Sequence, residues 1–224
     1  GEDCRACWTV PEDYRLVGID ASGLELRMLA HYLNDEGYTN EILNGDIHTA
    51  NQRLADLESR DQAKTFIYAL LYGAGDAKLG SVVGRGRAHG KGLRQRFFDN
   101  LPSFKKLTDR VQREAKSGFI KALDGRKLTV RSEHAALNTL LQGAGAIVMK
   151  KGLIILDDMI RTNNWDAKFV ANVHDEWQIE CHLDDAVDVG NAGVHAIKEA
   201  GCMLNLNCPL DGDYKVGENW SETH

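Results

Sequence analysis

The possible folds of this chain are narrowed most by residues 16–29, where a short apolar run ends in an acid. The run Leu16–Ile19 predicts a buried strand, and Asp20 follows it directly. A turn of small residues and a helical apolar pattern then lead to Leu29. A charge at the end of a buried strand is costly unless it is compensated, and a bound cation would compensate it. From this segment alone, Asp20 is either a metal ligand or an ordinary N-cap of the following helix.

Charge is distributed unevenly along the 224 residues, whose net charge is -6 at pH 7. Residues 78–131 contain 15 Lys and Arg against 4 Asp and Glu, whereas the remainder contains 12 against 29. A basic middle favours a polyanion partner, and a solvated helical surface is the alternative. We see no apolar run of membrane-spanning length and no secretory signal, so we expect a cytoplasmic protein without membrane contact. The five cysteines lack paired zinc spacing, which favours free thiols.

Strands are predicted near both ends of the chain. A hairpin is predicted over residues 168–181, with its turn at Asp175, and residues 213–216 are predicted to add an edge strand. A second hairpin, with an Asp-Gly turn, is predicted over residues 118–131. These strands surround a middle that shows helical periodicity.

Glycines, prolines and short polar runs divide the helical regions. Pro11 favours an irregular start over residues 1–14, and the polar run at 34–40 predicts a turn. Helices are predicted over residues 41–56 (in two pieces), 60–72, 76–83, 88–116, 133–161 and 184–200. The distribution predicts an α+β fold with two lobes, a base built from both ends of the chain and a helical insertion between them.

A second candidate metal ligand, Asp175, lies at the turn of the later hairpin. If its strand neighbours the strand before Asp20, the two carboxylates face each other and repel. Such a pair is able to bridge two magnesium ions roughly 3.5–4 Å apart for displacement at phosphorus. The alternative is the local hydrogen bond typical of an acid in a turn. A metal phosphohydrolase is disfavoured, because His31 and His48 lack an obvious metal-binding spacing.

The helix predicted from residue 60 carries four polar side chains on one stripe. Steps of four residues drift by only about 40° along an α-helix, so Arg60, Lys64, Tyr68 and Tyr72 share a face. The cations are suited to hold a triphosphate, and the rings are suited to stack on a sugar and base. A plain amphipathic helix with solvated Arg and Lys is the alternative.

Three segments occur in the order and at the spacing of a known family. They are residues 20–27 (DASGLELR), residues 60–73 (RDQAKTFIYALLYG) and residues 173–176 (VHDE). The chain resembles the polymerase region of the family A DNA polymerases, particularly the replicative enzymes of short-tailed phages. The segments GDIHT at 45–49 and DGR at 124–126 add to the resemblance, which extends to Trp220 and His224.

The resemblance implies a right-hand polymerase fold, with a small antiparallel palm sheet packed on helices and a helical fingers subdomain inserted. Residues 1–33 and 118–224 are expected to form the palm and residues 34–117 the fingers, without a thumb. The implied activity is DNA-directed DNA polymerisation, with two magnesium ions supporting nucleotidyl transfer from dNTPs to a primer 3′-hydroxyl. A single-subunit RNA polymerase, whose corresponding helix is similar, is the nearest alternative.

The resemblance also implies roles for individual residues. The metal ligands are expected to be Asp20, Asp175 and the carbonyl of Ala21. The catalytic set is expected to be Asp20, Asp175, the accessory acid Glu176, and Lys64. The residues expected to bind the nucleotide are Ala21, Glu25, His48, Arg60, Lys64, Tyr68 and Tyr72. The residues expected to contact DNA are Arg126, Asn138, Gln142 and His174.

Partners follow from the same resemblance. Primer–template DNA and a dNTP are the expected ligands. Because the thumb and an upstream palm segment are expected to be absent, an amino-terminal segment or chain is the expected protein partner. A processivity factor acting through that thumb is a further expectation, and a phage-infected bacterial cell is the expected location. The alternative is a catalytically incomplete binding or assembly half of a split polymerase.

Overall fold

The computed structural model describes residues 2–224, which form two compact units. The first unit comprises the residues up to Leu24 together with Gly145–His224, and the second comprises Glu25–Ala144. The chain thus enters and leaves the first unit on either side of one long insertion. The predicted palm and fingers boundaries lie at 33/34 and 117/118, and the assignment of those two names remains a prediction.

The chain alternates few strands with many helices. The helices are α1 (Glu2–Ala6), α2 (Leu24–Leu33), α3 (Glu36–Asn44), α4 (Ile47–Ala55), α5 (Arg60–Leu71), α6 (Asp76–Ser81), α7 (Arg87–Asn100), α8 (Pro102–Ala115), α9 (Ala136–Asn163), α10 (Ala186–Met203) and α11 (Trp220–Thr223). The strands are β1 (Tyr14–Ala21), β2 (Phe119–Lys121), β3 (Lys127–Thr129), β4 (Ala167–Val173), β5 (Glu176–His182) and β6 (Gly212–Gly217). A single 3-10 turn, Glu133–Ala135, precedes α9.

An antiparallel four-stranded sheet of order β4-β5-β1-β6 forms the centre of the first unit. Val17, Ile19, Trp177 and Ile179 of the two middle strands are completely buried, as their apolar alternation requires. Helix α10 covers the sheet closely at Gly193, where a Cβ atom would lie 2.2 Å from the Ile19 side chain. The apolar residues of both chain ends therefore meet in one core.

The second unit is helical apart from the β2–β3 hairpin. Its core contains a chain of edge-to-face aromatic contacts, Phe66 to Phe97 at 5.7 Å and Phe97 to Phe104 at 5.2 Å between ring centroids. These residues come from α5, α7 and α8, so the buried face of α5 is anchored to two other helices. The opposite face of α5 stays available for function.

Most predicted elements are confirmed, including both hairpins, the edge strand and the helices from residue 60 onward. Two predictions were wrong. Residues 2–6 form a helix, because Pro11 lies beyond its end and does not affect it. The expected turn at 34–40 contains the start of α3, because Asp35 caps that helix by accepting a hydrogen bond from the Tyr38 N–H. The basic region is interrupted at Pro102, whereas Gly90 and Gly92 lie inside α7.

One helix, residues 133–163, is long and apolar enough to cross a membrane by length and composition alone. The expectation that the chain contains no such run was therefore wrong. The finding is weak evidence for a membrane, since the core helix of a soluble protein passes the same test. All five cysteines are free thiols, as predicted.

Candidate functional site

The two predicted metal-binding acids lie at the same end of neighbouring strands. Asp20 is the penultimate residue of β1, and Asp175 belongs to the two-residue turn between β4 and β5. The Ala21 N–H donates a hydrogen bond to the Asp175 carbonyl at 3.0 Å, which ties the turn to the end of β1. His174 makes this tight turn possible by adopting a left-handed backbone conformation, with φ 55°. Asp20 is therefore a strand residue and not the N-cap of α2.

Negative charge accumulates around Asp20. In the sheet register, Asp20 is the direct neighbour of Glu176 on β5 and of Asp213 on β6. Partial burial and the charges of Asp175 and Glu176 raise the pKa of Asp20 to about 6, although Lys215 and His224 oppose the rise. A cavity of about 380 Å³ opens beside these groups. Nearby cations therefore compensate the charge of the Asp20 carboxylate only in part.

The donor set fits magnesium better than a metal that needs a complete protein cage. Residues 2–224 contain no group of three or more His, Cys, Asp or Glu side chains arranged to hold a metal ion. Magnesium usually binds one or two carboxylates and completes its shell with water and substrate phosphates. Asp20 and Asp175 supply two such carboxylates, and a divalent cation would neutralise the negative charge at Asp20 that Lys215 and His224 compensate only in part. The ligand atoms of the predicted metal site are therefore suited to magnesium.

Glu176 is held in place by the carboxy-terminal residues. Its side chain is buried, and Oε1 accepts hydrogen bonds from Trp220 Nε1 at 2.7 Å and Gln178 Nε2 at 2.5 Å. The ring nitrogen Nδ1 of His224 lies 2.6 Å from Oε2. Burial opposes ionisation of Glu176, but the hydrogen bonds from Gln178, His224 and Trp220 outweigh it and lower the pKa of Glu176. Its predicted role as an accessory acid stays a prediction.

In the second unit, α5 presents the predicted stripe. Ser59 caps the helix by accepting from the Gln62 N–H, and Arg60 and Lys64 are exposed on its first turns. Tyr68 is half-buried, and its ring lies 6.4 Å from that of Tyr72, which follows the last helical residue. The adjoining residues that pack into the core are Ala63, Phe66, Ile67 and Leu70. The two faces therefore divide as the sequence predicted.

His48 and Arg60 are brought together by Asp46. The Asp46 carboxylate caps α4 by accepting from the N–H groups of His48 and Thr49, and it also binds Arg60 Nε at 2.6 Å. The ring of His48 lies 6.3 Å from that of Tyr68. Burial and the charges of Arg60 and Lys64 lower the pKa of His48. Arg60 and Lys64 therefore supply the positive charge of a cluster beside Tyr68, to which His48 adds an imidazole whose neutral form is favoured.

Glu25 contacts the end of the same stripe. The Tyr72 hydroxyl donates a hydrogen bond to Glu25 Oε2 at 3.2 Å, linking α2 to the end of α5 within the second unit. Tyr72 is 52% exposed, so one face of its ring is open to a ligand. Two of the residues predicted to bind the nucleotide, Glu25 and Tyr72, are therefore connected, and their roles remain predictions.

The predicted DNA-contacting residues occupy several places. Arg126 binds Asp124 within the β2–β3 turn, which lowers the pKa of Asp124 through the hydrogen bond from the guanidinium. Asn138 and Gln142 lie one turn apart on α9, and Asn138 Oδ1 is buried without a hydrogen-bond partner among the described residues. His174, in the first unit, is exposed at the β4–β5 turn.

Sequence reasoning gave no role to three residues that shape the site. Trp220 and His224 orient Glu176, and Asp46 connects His48 to Arg60. One local signal was available, since a Gly-Asp pair before a helical pattern is typical of an N-cap. The partners of Glu176 gave no local signal, because they lie on a separate helix.

A sequence model of DNA polymerase family A matches residues 1–222. The chain belongs to DNA polymerase family A. It is 43% identical to the DNA-directed DNA polymerase of Enterobacteria phage T3 and 42% identical to that of Escherichia phage T7, each over the whole chain. It is 32% identical to DNA polymerase I of Aquifex aeolicus over 98% of the chain. The single-subunit RNA polymerase alternative is not favoured, because the family and these relatives are DNA polymerases.

This chain spans 36% of the length of each of the two phage relatives and 42% of the length of the Aquifex aeolicus protein. Its fold matches the POL domain of Pol1 from M. smegmatis, solved in complex with DNA primer-template and dNTP, with a TM-score of 0.88. That match covers 99% of this chain and 42% of the solved chain at 23% identity. The likeness confirms the predicted fold class.

Proposed function

We propose that this chain carries out DNA-directed DNA polymerisation, adding a deoxynucleotide to a primer 3′-hydroxyl opposite a template. The observation that carries the proposal is the juxtaposition of Asp20 and Asp175, joined through the Ala21 N–H in surroundings with an excess of negative charge. Family membership and the identity to phage DNA polymerases support it. The bacterial cytoplasm during phage infection is the proposed location.

In this proposal the first unit supplies the metal ligands. Asp20, Asp175 and the Ala21 carbonyl would hold two magnesium ions, which when bound activate the primer hydroxyl and neutralise charge at the reacting phosphate. The hydrogen bond between Ala21 and Asp175 keeps the acidic turn at the end of β1. Glu176, fixed by Trp220 and His224, lies directly opposite Asp20 in the register of β1 and β5.

The second unit supplies the nucleotide ligands. Arg60, Lys64 and His48 would bind the triphosphate, because the exposed Arg60 and Lys64 supply positive charge and the neighbouring His48 ring supplies a hydrogen-bond donor. Lys64 would also steady the leaving pyrophosphate. Tyr68 and Tyr72 would stack on the sugar and base, and Glu25, bonded to Tyr72, would fill the space of a 2′-hydroxyl. This arrangement would favour deoxynucleotides.

Contacts to DNA are proposed for four further residues. Asn138 and Gln142 lie on one face of α9 and are suited to the minor-groove acceptors that recur in every correct base pair. Arg126 would contact the phosphate backbone after exchanging Asp124 for a phosphate. His174 would face the primer end. An amino-terminal thumb-bearing segment or chain, and through it a processivity factor, are the proposed protein partners.

Primer extension with and without such an amino-terminal partner tests the proposal. We expect slow, distributive incorporation of deoxynucleotides by the 224-residue chain alone, and faster synthesis when the amino-terminal part of a phage relative is added. Ribonucleotides, used in the same assay, should be incorporated far less efficiently. Equal use of both nucleotide types, or no incorporation under either condition, would contradict the proposed function.

A further inference from the structure

The carboxylate of Asp46 serves two helices of the second unit at once. Oδ1 accepts hydrogen bonds from the backbone N–H groups of His48 at 3.0 Å and Thr49 at 3.4 Å. Oδ2 accepts from the Thr49 hydroxyl at 3.1 Å and from Arg60 Nε at 2.6 Å. A helix cap requires only the first pair of bonds. The bond to Arg60, fourteen residues away on α5, needs another explanation.

The hydrogen bond to Asp46 orients the Arg60 guanidinium and leaves its two terminal nitrogens available to bind a phosphate. Only Nε of the guanidinium is engaged, and within residues 2–224 the two terminal nitrogens of Arg60 have no other protein partner. The Arg60 side chain is 52% exposed, so without an anchor it would sample many rotamers. The anchor leaves the terminal nitrogens free for a second anion, with their direction already set.

The same carboxylate fixes the second member of the cluster. Because Asp46 caps α4 at His48, it sets the backbone position from which the imidazole extends toward Tyr68. We infer that Asp46 is a positioning residue that pre-orients Arg60 and His48 for a nucleoside triphosphate. This inference rests on the proposed function and deepens it, because it explains how exposed ligands of the second unit are held ready before substrate arrives.

An electrostatic role and a positioning role of Asp46 predict opposite changes in the affinity for a polyphosphate when Asp46 is replaced. Removing a carboxylate beside Arg60 makes the cluster more positive, which by Coulomb attraction alone would tighten binding of a polyphosphate. Releasing Arg60 forces it to lose rotamer freedom on binding, which would weaken affinity by about fivefold. The direction of the change therefore distinguishes a positioning role from a merely electrostatic one.

The test is calorimetric binding of inorganic tripolyphosphate and of dTTP with magnesium to Asp46→Ser. Serine still caps a helix but is too short to reach Arg60, so a purely structural role predicts unchanged affinity. Asp35→Ser is the matched control, because Asp35 caps α3 in the same way and its second oxygen binds Ser103 instead of an arginine. Thermal unfolding checks that both variants fold. Should Asp46→Ser fail to fold, Asp46→Asn keeps the cap and removes the ion pair.

We expect the dissociation constants of both probes to rise about fivefold in Asp46→Ser and to stay unchanged in Asp35→Ser. In an Arg60→Ala background, Asp46→Ser should add nothing further, since serine keeps the cap at His48 and the lost contact acts through Arg60. Unchanged or tighter binding by Asp46→Ser, or additive losses in the double variant, would overturn this inference alone. A wild-type chain that binds neither probe would contradict the proposed nucleotide role as well.

Discussion

The protein shifts the pKa values of two neighbouring carboxylates, Asp20 and Glu176, in opposite directions. The pKa of Asp20 is raised to about 6 by burial and by nearby acids, whereas hydrogen-bond donors lower the pKa of Glu176. The two residues are directly opposite in the β1–β5 register. A carboxylate with a raised pKa beside one with a lowered pKa is typical of functional sites.

Asp20 should make stability depend on pH. Since its pKa is above the ordinary value of 3.8, the folded state binds a proton more tightly than the unfolded state, and stability falls as pH rises from about 4 to 6. We expect Asp20→Asn to be more stable than wild type at pH 8 by about 1 kcal/mol, after allowance for solvent screening. Urea unfolding at pH 4 and pH 8 measures this. An advantage of the variant that is equally large at pH 4 would contradict the assignment.

Magnesium should reverse the difference in stability between wild type and Asp20→Asn at pH 8. At pH 8 a cation bound to Asp20 and Asp175 stabilises the folded state in proportion to its concentration above the dissociation constant. Magnesium at millimolar concentration should therefore raise the unfolding temperature of wild type and leave Asp20→Asn unchanged. A similar rise in both proteins would place the bound ion elsewhere.

Glu176→Ala should destabilise the first unit. The substitution leaves the buried donor of Gln178 and the partly buried donor of Trp220 without an acceptor, at a cost of about 2 kcal/mol. The free energy of unfolding in urea measures the loss. Glu12→Ala, at an exposed position, is the control and should lie within about 0.5 kcal/mol of wild type. If both variants match wild type, the terminal residues do not hold Glu176 in solution.

At the scale of elements, the end of α5 depends on one glycine. Gly73 has φ 75°, and a Cβ atom there would lie 2.3 Å from the His134 carbonyl oxygen. Gly75 has an ordinary φ of -69° and open space around it. The first glycine therefore ends the functional helix, and the second is replaceable.

Gly73→Ala should cost about 2–4 kcal/mol, from left-handed backbone strain and the clash with residue 134. Gly75→Ala, two residues away, should cost only about 0.5 kcal/mol, because alanine is a poorer N-cap of α6 than glycine but meets no neighbouring atom. Chemical denaturation of the two variants provides a matched comparison. Equal effects would show that the loop after α5 relaxes freely around Gly73.

Elements whose signals are contiguous were predictable from the sequence. The β4–β5 hairpin combines apolar runs with a short polar turn, and α5 has a clear helical period, so both were found, and α5 was found with the correct division between its buried and exposed faces. Contacts between distant segments were not predictable. Glu176 meets Trp220 and His224 across 44 and 48 positions, and no local pattern encodes that pairing. The Asp46–Arg60 pair joins two helices and likewise requires their packing.

At the scale of the whole molecule, the candidate groups are divided between two units of one chain. The acids Asp20 and Asp175 belong to the first unit, and the cationic stripe of α5 belongs to the second. The excess of positive charge over residues 78–131 also falls in the second unit.

The central claim is that Asp20 and Asp175 together hold the metals of nucleotidyl transfer. Incorporation of a single deoxynucleotide, with the amino-terminal partner present, tests it most directly. We expect Asp20→Asn and Asp175→Asn each to lower the rate by roughly a thousandfold or more, and Asp188→Asn, at an exposed position of α10, to leave it unchanged. Primer–template binding should persist in all three variants. Incorporation at the wild-type rate by either of the first two variants would contradict the account.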